Sequence, residues 1–123
     1  MKLLDSSVIV ALFRGKDTCH DRAVEIFFKP DDFVVMDYVI SEVLTVLKVK
    51  ESVEIMQMCA DFLANTSGIK IHETEPELYW SAMDFFQKTK NKLSFTDTLL
   101  LLLSRENRIP LVTFDKELAR MAR

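Results

Sequence analysis

The chain has 123 residues and a mass of 14.2 kDa, too small for two sizeable hydrophobic cores, so we expect residues 1–123 to form one domain. A hydrophobic fraction of 49% and a charged fraction of 28% exclude a disordered chain. A net charge of −3 argues against a broad basic face for nonspecific DNA binding, and no apolar stretch approaches the roughly 18 residues that span a bilayer.

Short apolar segments alternate with helical patterns along the chain. In the first half, the predicted elements are a strand at 2–5, an apolar segment at 8–13 that packs against a sheet, a helix at 17–28, a strand at 33–36 and helices at 37–48 and 51–65. In the second half they are a strand at 69–71, a helix at 76–90, a helix that begins after Ser94 or Thr96 and ends near 107, a strand at 110–113 and a helix at 116–123.

Cap residues and apolar spacing indicate how the helices begin, end and pack. Asp17 is a predicted N-cap, Pro76 suits a first helical turn, and Gly68 favours a left-handed C-cap after Asn65. The residues expected to face the core are Ala23, Val24, Phe27 and Phe28 in one helix and Tyr79, Ala82, Met83 and Phe86 in another.

Short apolar strands that alternate with helices are typical of a parallel sheet covered on both faces. We therefore predict an α/β fold, a three-layer α/β/α sandwich with a central parallel sheet of four short strands and a fifth edge strand left open. In such folds ligands bind beyond the carboxyl ends of the strands.

Acidic residues stand where this rule expects function. Asp5 ends the first strand, Asp115 follows the fourth, and Asp97 begins the leucine-rich helix. Each has a plain alternative, because an acid at the start of a helix stabilises it by capping or through the helix dipole. Taken singly, each acid is explained by capping.

Glu42 has the least ordinary setting of the acids. Its own helical stripe carries the valines Val39, Val46 and Val49, whereas a solvated glutamate more often shares its stripe with polar residues. The pattern predicts a partly enclosed carboxylate that faces a cation.

Four acids at one sheet edge need a cation or extra protons. Two like charges about 4 Å apart repel by roughly 4 kcal/mol at an effective dielectric constant of about 20. Carboxylate oxygens suit Mg²⁺ or Mn²⁺. Zinc is disfavoured because His20 and His72 are isolated and no cysteine pair accompanies them.

Cysteine usage bears on the cellular compartment. Cys19 and Cys59 lack CxxC spacing and predict reduced thiols in a cytoplasmic protein, with Cys59 in the core. Asp5 interrupts the first apolar segment before it reaches the length of a signal-peptide core, so we expect no secretory signal.

Three stretches together resemble the PIN-domain ribonucleases, particularly the VapC toxins of bacterial and archaeal toxin–antitoxin pairs. They are LLDSSVIVALF, ISEVLTVL and SFTDTLLLLLSRENRIPLVTFD, in a matching order of strands and helices that spans nearly the whole chain. The resemblance rests on four acids in the right order and contexts, since no single motif is decisive.

The resemblance implies a metal-dependent endoribonuclease that hydrolyses RNA phosphodiester bonds, the toxin of a type II toxin–antitoxin pair. By position, it implies that Asp5, Glu42, Asp97 and Asp115 form the catalytic, metal-binding set, supported by the hydroxyls of Ser6 and Thr113. It implies Mg²⁺ or Mn²⁺ as the cofactor. It also implies RNA as the substrate, a cognate antitoxin and a homodimer as partners, and a cytoplasmic location without a membrane.

The chain departs from the family pattern at two points. Thr98 precedes five leucines where small residues are common, which puts the packing of that helix in question. Residue 123 lies only eight positions after Asp115 (123 − 115), which leaves little room for the fifth edge strand of many relatives.

Lysines upstream of Asp97 are candidate RNA contacts. The stretch KTKNK contains Lys88, Lys90 and Lys92, which have the charge to position phosphates. A solvated helix end is an equally good explanation. The rings of Trp80, Phe85 and Phe86 are able to stack on bases, but their helical spacing favours the core.

Three rival classes remain open. A non-catalytic PIN-like scaffold that binds RNA or protein is the first, and the retained acids count against it. A receiver-type phosphoacceptor domain is the second, but the first strand does not end in a pair of acids. The third is a structural α/β protein whose acids only cap helices, which a divalent metal would not stabilise.

Overall fold

Four short strands form one parallel sheet in the computed structural model, which describes residues 1–123. The strands are β1 (Lys2–Leu4), β2 (Phe33–Met36), β3 (Ile69–His72) and β4 (Leu111–Val112). Their order in the sheet is β3-β2-β1-β4. Leu3 of β1 therefore pairs with Val34 on one side and with Leu111 on the other.

Seven helices connect and cover the strands. They are α1 (Ser6–Phe13), α2 (His20–Phe28), α3 (Asp37–Lys50), α4 (Val53–Asn65), α5 (Pro76–Lys88), α6 (Phe95–Asn107) and α7 (Lys116–Ala122). No helix is both long and apolar enough to cross a membrane.

The helices form two groups, α1–α4 and α5–α7, each packed within itself. The chain moves in one direction across the sheet from β1 to β3 and then crosses back to β4. Because parallel crossovers are right-handed, this reversal places the two groups on opposite faces of the sheet. The predicted three-layer α/β/α sandwich is confirmed, with four strands in the sheet.

The central strands and the leucine-rich helix form the core. Leu3 and Leu4 of β1 are fully buried, and so are Val35 and Met36 of β2, whereas the edge strands β3 and β4 are partly exposed. In α6 four of the five leucines are buried, so the helix is enclosed on most sides. Cys59 is fully buried, as the apolar spacing of α4 predicts.

Two predicted helix faces are partly wrong. Ala23 is the only fully enclosed residue of α2, and Phe28, at the end of that helix, is 83% exposed. In α5 the buried residues are Leu78 and Ala82, and Phe86 is 42% exposed. The faces that contact neighbours are set by how α2 meets α1 and how α5 meets α6, which apolar spacing does not specify.

Two predicted caps also differ. α2 begins at His20, because the Asp17 carboxylate accepts a hydrogen bond from the Cys19 N–H at 2.8 Å and closes a turn before the helix. α4 ends at Asn65 with an extended Thr66. Gly68 has a φ of +88°, but it turns the chain into β3 rather than closing the helix.

Candidate active site

The strand order creates a crevice at one sheet edge. The chain leaves β1 toward β2 on one side and returns to β4 on the other, so the carboxyl ends of β1 and β4 flank the point where its direction reverses. Ligands of open parallel sheets bind at such a point. Asp5 follows β1 directly, and Thr113 follows β4.

Asp5 does not use its side chain to cap α1. It occupies the N-cap position, but its carboxylate accepts no hydrogen bond from the helix backbone. Its Oδ2 instead accepts hydrogen bonds from the hydroxyls of Thr113 at 2.6 Å and Ser7 at 2.7 Å. Asp5 is 4% exposed and forms no salt bridge, so the hydrogen bonds to its buried carboxylate come from hydroxyl groups alone.

Ser6 links Asp5 to Glu42. Its hydroxyl lies 3.1 Å from Glu42 Oε1, to which it donates, and 3.5 Å from Asp5 Oδ1. Glu42 reaches this hydroxyl from α3, which packs against α1. The structure therefore brings Ser6 and Glu42, as well as Asp5 and Thr113, to one place.

The enclosure of Glu42 is partial. Val39 is fully buried and Val46 half-buried, but Val49 is 76% exposed, and the Glu42 side chain itself remains accessible to solvent. The protein around it nevertheless raises the pKa of its carboxyl, mainly by desolvation and further by the charges of Asp5 and Asp97, against the Ser6 hydrogen bond.

Asp97 both caps its helix and joins the acidic group. Its backbone N–H donates to Ser94 Oγ at 3.0 Å, and its Oδ2 accepts the Ser94 N–H at 3.2 Å, a reciprocal capping box. Burial raises the pKa of Asp97, and the charges of Asp5 and Asp115 raise it further, although the Ser94 hydrogen bonds oppose the shift.

Asp115 also has two roles. Its Oδ1 accepts the Leu118 N–H at 2.9 Å and caps α7, as the sequence predicts for a capping acid. Its own N–H donates to Thr113 Oγ1 at 3.0 Å, the same hydroxyl that binds Asp5. Asp115 is exposed to solvent, whereas Asp97 is half-buried. The charge of Asp115 raises the pKa of Asp97.

Ser7 is a site residue that the sequence analysis missed. Its hydroxyl donates to Asp5 and accepts the Phe114 N–H at 3.0 Å, so it ties the end of β1 to the chain after β4. The sequence feature that could have indicated it is a second serine two positions after Asp5. Ser6 contacts Glu42 of α3, whereas Ser7 contacts the chain after β4.

Asp37 lies at the same sheet edge but outside this group. Burial alone would raise its pKa, but hydrogen bonds from the Thr74 hydroxyl at 2.6 Å, the Thr74 N–H at 3.1 Å and the Tyr38 N–H at 2.9 Å outweigh it and lower the pKa. Asp37 therefore joins β2 to the loop after β3 and leaves no carboxylate oxygen free of a partner.

The donor set fits a hard divalent cation that keeps part of its water shell. None of the four acids forms a salt bridge with a lysine or arginine of the chain. No three His, Cys, Asp or Glu side chains are arranged to hold one ion by themselves. Mg²⁺ usually binds through one or two carboxylates and keeps several waters, which is compatible with this arrangement. The two histidines are engaged elsewhere, His20 with Ala11 and His72 with Glu75.

The lysines of KTKNK lie on exposed surface, and so do two of the three aromatic side chains that could stack on bases. Lys88 pairs with Asp84 at 2.8 Å, whereas Lys90 and Lys92 are exposed without a salt bridge in the loop that leads to Ser94. Trp80 is 63% exposed, and Phe86 stacks edge-on against Phe95 at 5.6 Å between ring centres. Phe85 packs against the core.

A comparison with protein families finds one match. The model described as the PIN domain matches residues 2–123. No curated protein sequence matches the chain.

Solved structures with a similar fold include three proteins of bacterial origin. VapC20 of Mycobacterium tuberculosis, a sarcin-ricin loop cleaving toxin, has a TM-score of 0.89 at 19% identity over 98% of this chain and 94% of that one. A toxin–antitoxin complex from Klebsiella pneumoniae has a TM-score of 0.66 at 18% identity over 95% and 88%. FitAcB from Neisseria gonorrhoeae has a TM-score of 0.68 at 15% identity over 99% and 93%. At these identities the likeness concerns the fold.

Proposed function

The chain belongs to the PIN-domain family, and on that premise we propose that it is a metal-dependent endoribonuclease that hydrolyses RNA phosphodiester bonds. We propose further that it is the toxin of a type II toxin–antitoxin pair and that residues 1–123 form one PIN-like domain. The observation that carries the proposal is the group of four carboxylates around one crevice that no lysine or arginine of the chain neutralises. Such a group is suited to an external cation.

In this proposal Asp5 and Asp97 hold the cation, Mg²⁺ or Mn²⁺, and Glu42 and Asp115 assist. A bound divalent cation supplies charge that offsets the phosphate in the transition state and lowers the pKa of a coordinated water. Ser7 and Thr113 fix the orientation of the Asp5 carboxylate, and Ser94 fixes that of Asp97. Glu42, with its raised pKa and its access to solvent, is the acid best suited to take up or release a proton at this edge.

The partners belong to the same proposal. We infer a cognate antitoxin that blocks the crevice, a homodimer, and action in the cytoplasm. One of the solved structures with a similar fold is a toxin–antitoxin complex, and large hydrophobic side chains such as Phe28 and Trp80 are exposed and available for contacts. Lys90 and Lys92 are the proposed RNA contacts on the α5–α6 loop, with Lys88 a weaker one because it is paired.

A second candidate is a non-catalytic PIN-like scaffold that binds RNA or protein. The observation that favours it is the absence of three acidic side chains arranged to hold one ion directly. The two candidates differ in one result, because a scaffold binds RNA but leaves it intact with every divalent metal.

The test is an RNA cleavage assay with purified, antitoxin-free protein and Mn²⁺. Asp5→Asn and Asp97→Asn should each lower the cleavage rate by more than about 100-fold, because even residues that only orient metal ligands contribute about 10- to 100-fold. Asparagine at 97 is still able to accept the Ser94 N–H, so the fold should survive. Gel electrophoresis of labelled structured RNA gives the rates.

The matched control is Asp37→Asn. It removes a carboxylate at the same sheet edge that binds Thr74 and does not belong to the group of four acids. It should lower the melting temperature and leave cleavage per folded molecule close to that of the wild type. Equal cleavage by all the variants would show that the assigned acids are not the active site. Binding without cleavage by the wild type would favour the scaffold.

A further inference from the structure

A cleft of about 420 Å³ opens directly beside the acidic crevice. It shares Ser6, Ser7 and Asp115 with the crevice, and Val10 of α1 and Val46 of α3 line it together with Phe114. Its volume falls within the range of roughly 300–1,000 Å³ that ligand pockets usually have. We call it the α1–α3 cleft. The roles proposed above involve Ser7 and Asp115 but not the apolar part of its lining, Val10, Val46 and Phe114.

A cation stands next to the α1–α3 cleft. The guanidinium carbon of Arg22 lies 4.7 Å from the centre of the Phe114 ring, which itself lines the cleft. This cation–π contact positions an exposed side chain that forms no salt bridge. The charge of Arg22 is therefore free to bind an anion beside a cleft whose lining carries the carboxylates of Asp17 and Asp115.

The apolar part of the cleft lining is suited to a base rather than to a phosphate. Val10 and Val46 are apolar and half-buried, and Cys19 lies beside them. Asp17, which also lines the cleft, uses only Oδ1, which accepts the Cys19 N–H, so Oδ2 is able to accept from the exocyclic amino group of a base.

We propose that the α1–α3 cleft binds the base of the nucleotide next to the scissile phosphate in single-stranded RNA, and that Arg22 contacts a phosphate of the same strand. The inference rests on the proposed ribonuclease function. The strand is single because a base has to leave its stack to enter a cleft of this kind. Phe114 acts by holding Arg22 in place.

The first test is the binding of a short single-stranded RNA of mixed sequence with 2′-O-methyl sugars, shown by electrophoresis to stay uncut. Arg22→Ala should weaken binding roughly five- to tenfold, measured by fluorescence anisotropy, and lower the salt dependence by about 0.7 in logarithmic slope. Arg22→Lys should keep the slope, because the charge remains. Lys70→Ala is the control, since it removes an exposed charge from β3.

The second variant fills the cleft without changing any charge. Val46→Trp should weaken binding roughly tenfold and leave the salt slope unchanged, because it displaces a base and not a phosphate. Val49→Trp is the matched control on the same helix, at a position that is 76% exposed and outside the cleft. It should bind as the wild type does, and both variants should melt within a few degrees of it.

Cys19 gives a readout that needs no substitution. It lines the cleft, so the bound oligonucleotide should slow its alkylation by a small maleimide several-fold. Cys59 is the internal control, because it is fully buried and burial raises the pKa of its thiol to about 11. Cys59 should stay unmodified until the protein unfolds.

The outcomes separate this inference from the nuclease proposal. RNA binding that Arg22→Ala and Val46→Trp leave unchanged, with no protection of Cys19, overturns the cleft inference whether or not the protein cleaves RNA. Binding that depends on the cleft in a protein that cuts no RNA with Mn²⁺ supports the cleft and contradicts the nuclease. Absence of RNA binding overturns the cleft inference, and so does a change of sedimentation in Val46→Trp, which would assign the cleft to contact between copies.

Discussion

At the scale of the residue, two of the four acids serve two purposes at the sheet edge. Asp97 and Asp115 cap helices, and the same hydrogen bonds hold their carboxylates toward the crevice. Asp5 caps nothing with its side chain, and three hydroxyls surround it instead. Capping therefore does not compete with a metal-binding role for two of these acids, and it does not account for Asp5.

The raised pKa of Glu42 makes a prediction about stability and pH in the metal-free protein. Its carboxyl binds a proton more tightly when folded than when unfolded, so its contribution to the free energy of unfolding falls as pH rises from about its ordinary value of 4.5 through the folded pKa. Glu42→Gln removes this dependence. In chemical denaturation between about pH 4 and about pH 8, the free energy of unfolding of the variant should increase relative to that of the wild type as pH rises.

Mn²⁺ provides the control for that experiment. Because a metal binds the deprotonated carboxylate, saturating Mn²⁺ should reverse the trend and stabilise the wild type more as pH rises, with a smaller effect on Glu42→Gln. A difference between wild type and variant that stays constant across the pH range would contradict the interpretation of Glu42 as a partly desolvated acid in the field of Asp5 and Asp97.

At the scale of the element, the first turn of α6 both begins a core helix and carries an acid of the proposed site. Its Ser94–Asp97 capping box starts a helix whose leucines are enclosed by the rest of the protein. α4 is a helix of the same length with a serine N-cap, Ser52, whose hydroxyl accepts the Ile55 N–H at 3.1 Å, but no acid of the site belongs to it. Variants of the two serines therefore distinguish a loss of helix capping from an effect on the proposed site.

Ser94→Ala and Ser52→Ala should each lower the free energy of unfolding by about 1 kcal/mol, since each removes one cap hydrogen bond. Only Ser94→Ala should also weaken Mn²⁺ binding, roughly 10-fold, because the Asp97 N–H loses the hydroxyl acceptor that fixes the turn carrying its carboxylate. Urea unfolding gives the first quantity, and the rise in melting temperature with Mn²⁺ gives the second. Equal Mn²⁺ binding by both variants would mean that the capping box does not position Asp97.

At the scale of the whole molecule, the chain has an excess of acid, whereas the substrate that we propose for it is anionic. The net charge of −3 disfavours RNA as a whole, so we expect binding to depend on where the unpaired cations lie. Lys90 and Lys92 lie on the loop that leads into α6, and Arg22 lies on the rim of the α1–α3 cleft. This arrangement predicts that RNA binding is local and strongly dependent on salt.

The double variant Lys90→Ala, Lys92→Ala should therefore weaken binding of single-stranded RNA and reduce its logarithmic salt slope by about 1.4, or about 0.7 for each phosphate that the protein no longer neutralises. The double variant Lys48→Ala, Lys50→Ala is the matched control, because it removes two exposed charges with the same spacing from the end of α3. Equal effects of the two double variants on binding would mean that the lysines of the α5–α6 loop act only through the net charge and do not contact the RNA.

The order of strands and helices followed from the sequence, because apolar spacing and caps act over a few residues. β2 was predicted at its observed bounds, Asp115 was predicted at the start of α7, and the enclosure of the leucine-rich helix was expected from its composition. The placement of Asp5 and Asp115 at one edge was also predictable, because strands of a parallel sheet end on the same side. Asp97 follows no strand, so this rule does not place it.

Tertiary structure alone decided which side chains meet. The Ser6–Glu42 contact joins residues 36 positions apart, and the Asp5–Thr113 contact joins residues 108 apart. The roles of Ser7 and Arg22, the solvent access of Glu42 and the exposure of Phe28 depend on the order β3-β2-β1-β4 and on how the helices pack over it. Local patterns determine where the chain turns and which residues follow each strand, whereas long-range packing determines which of those residues come within hydrogen-bonding distance.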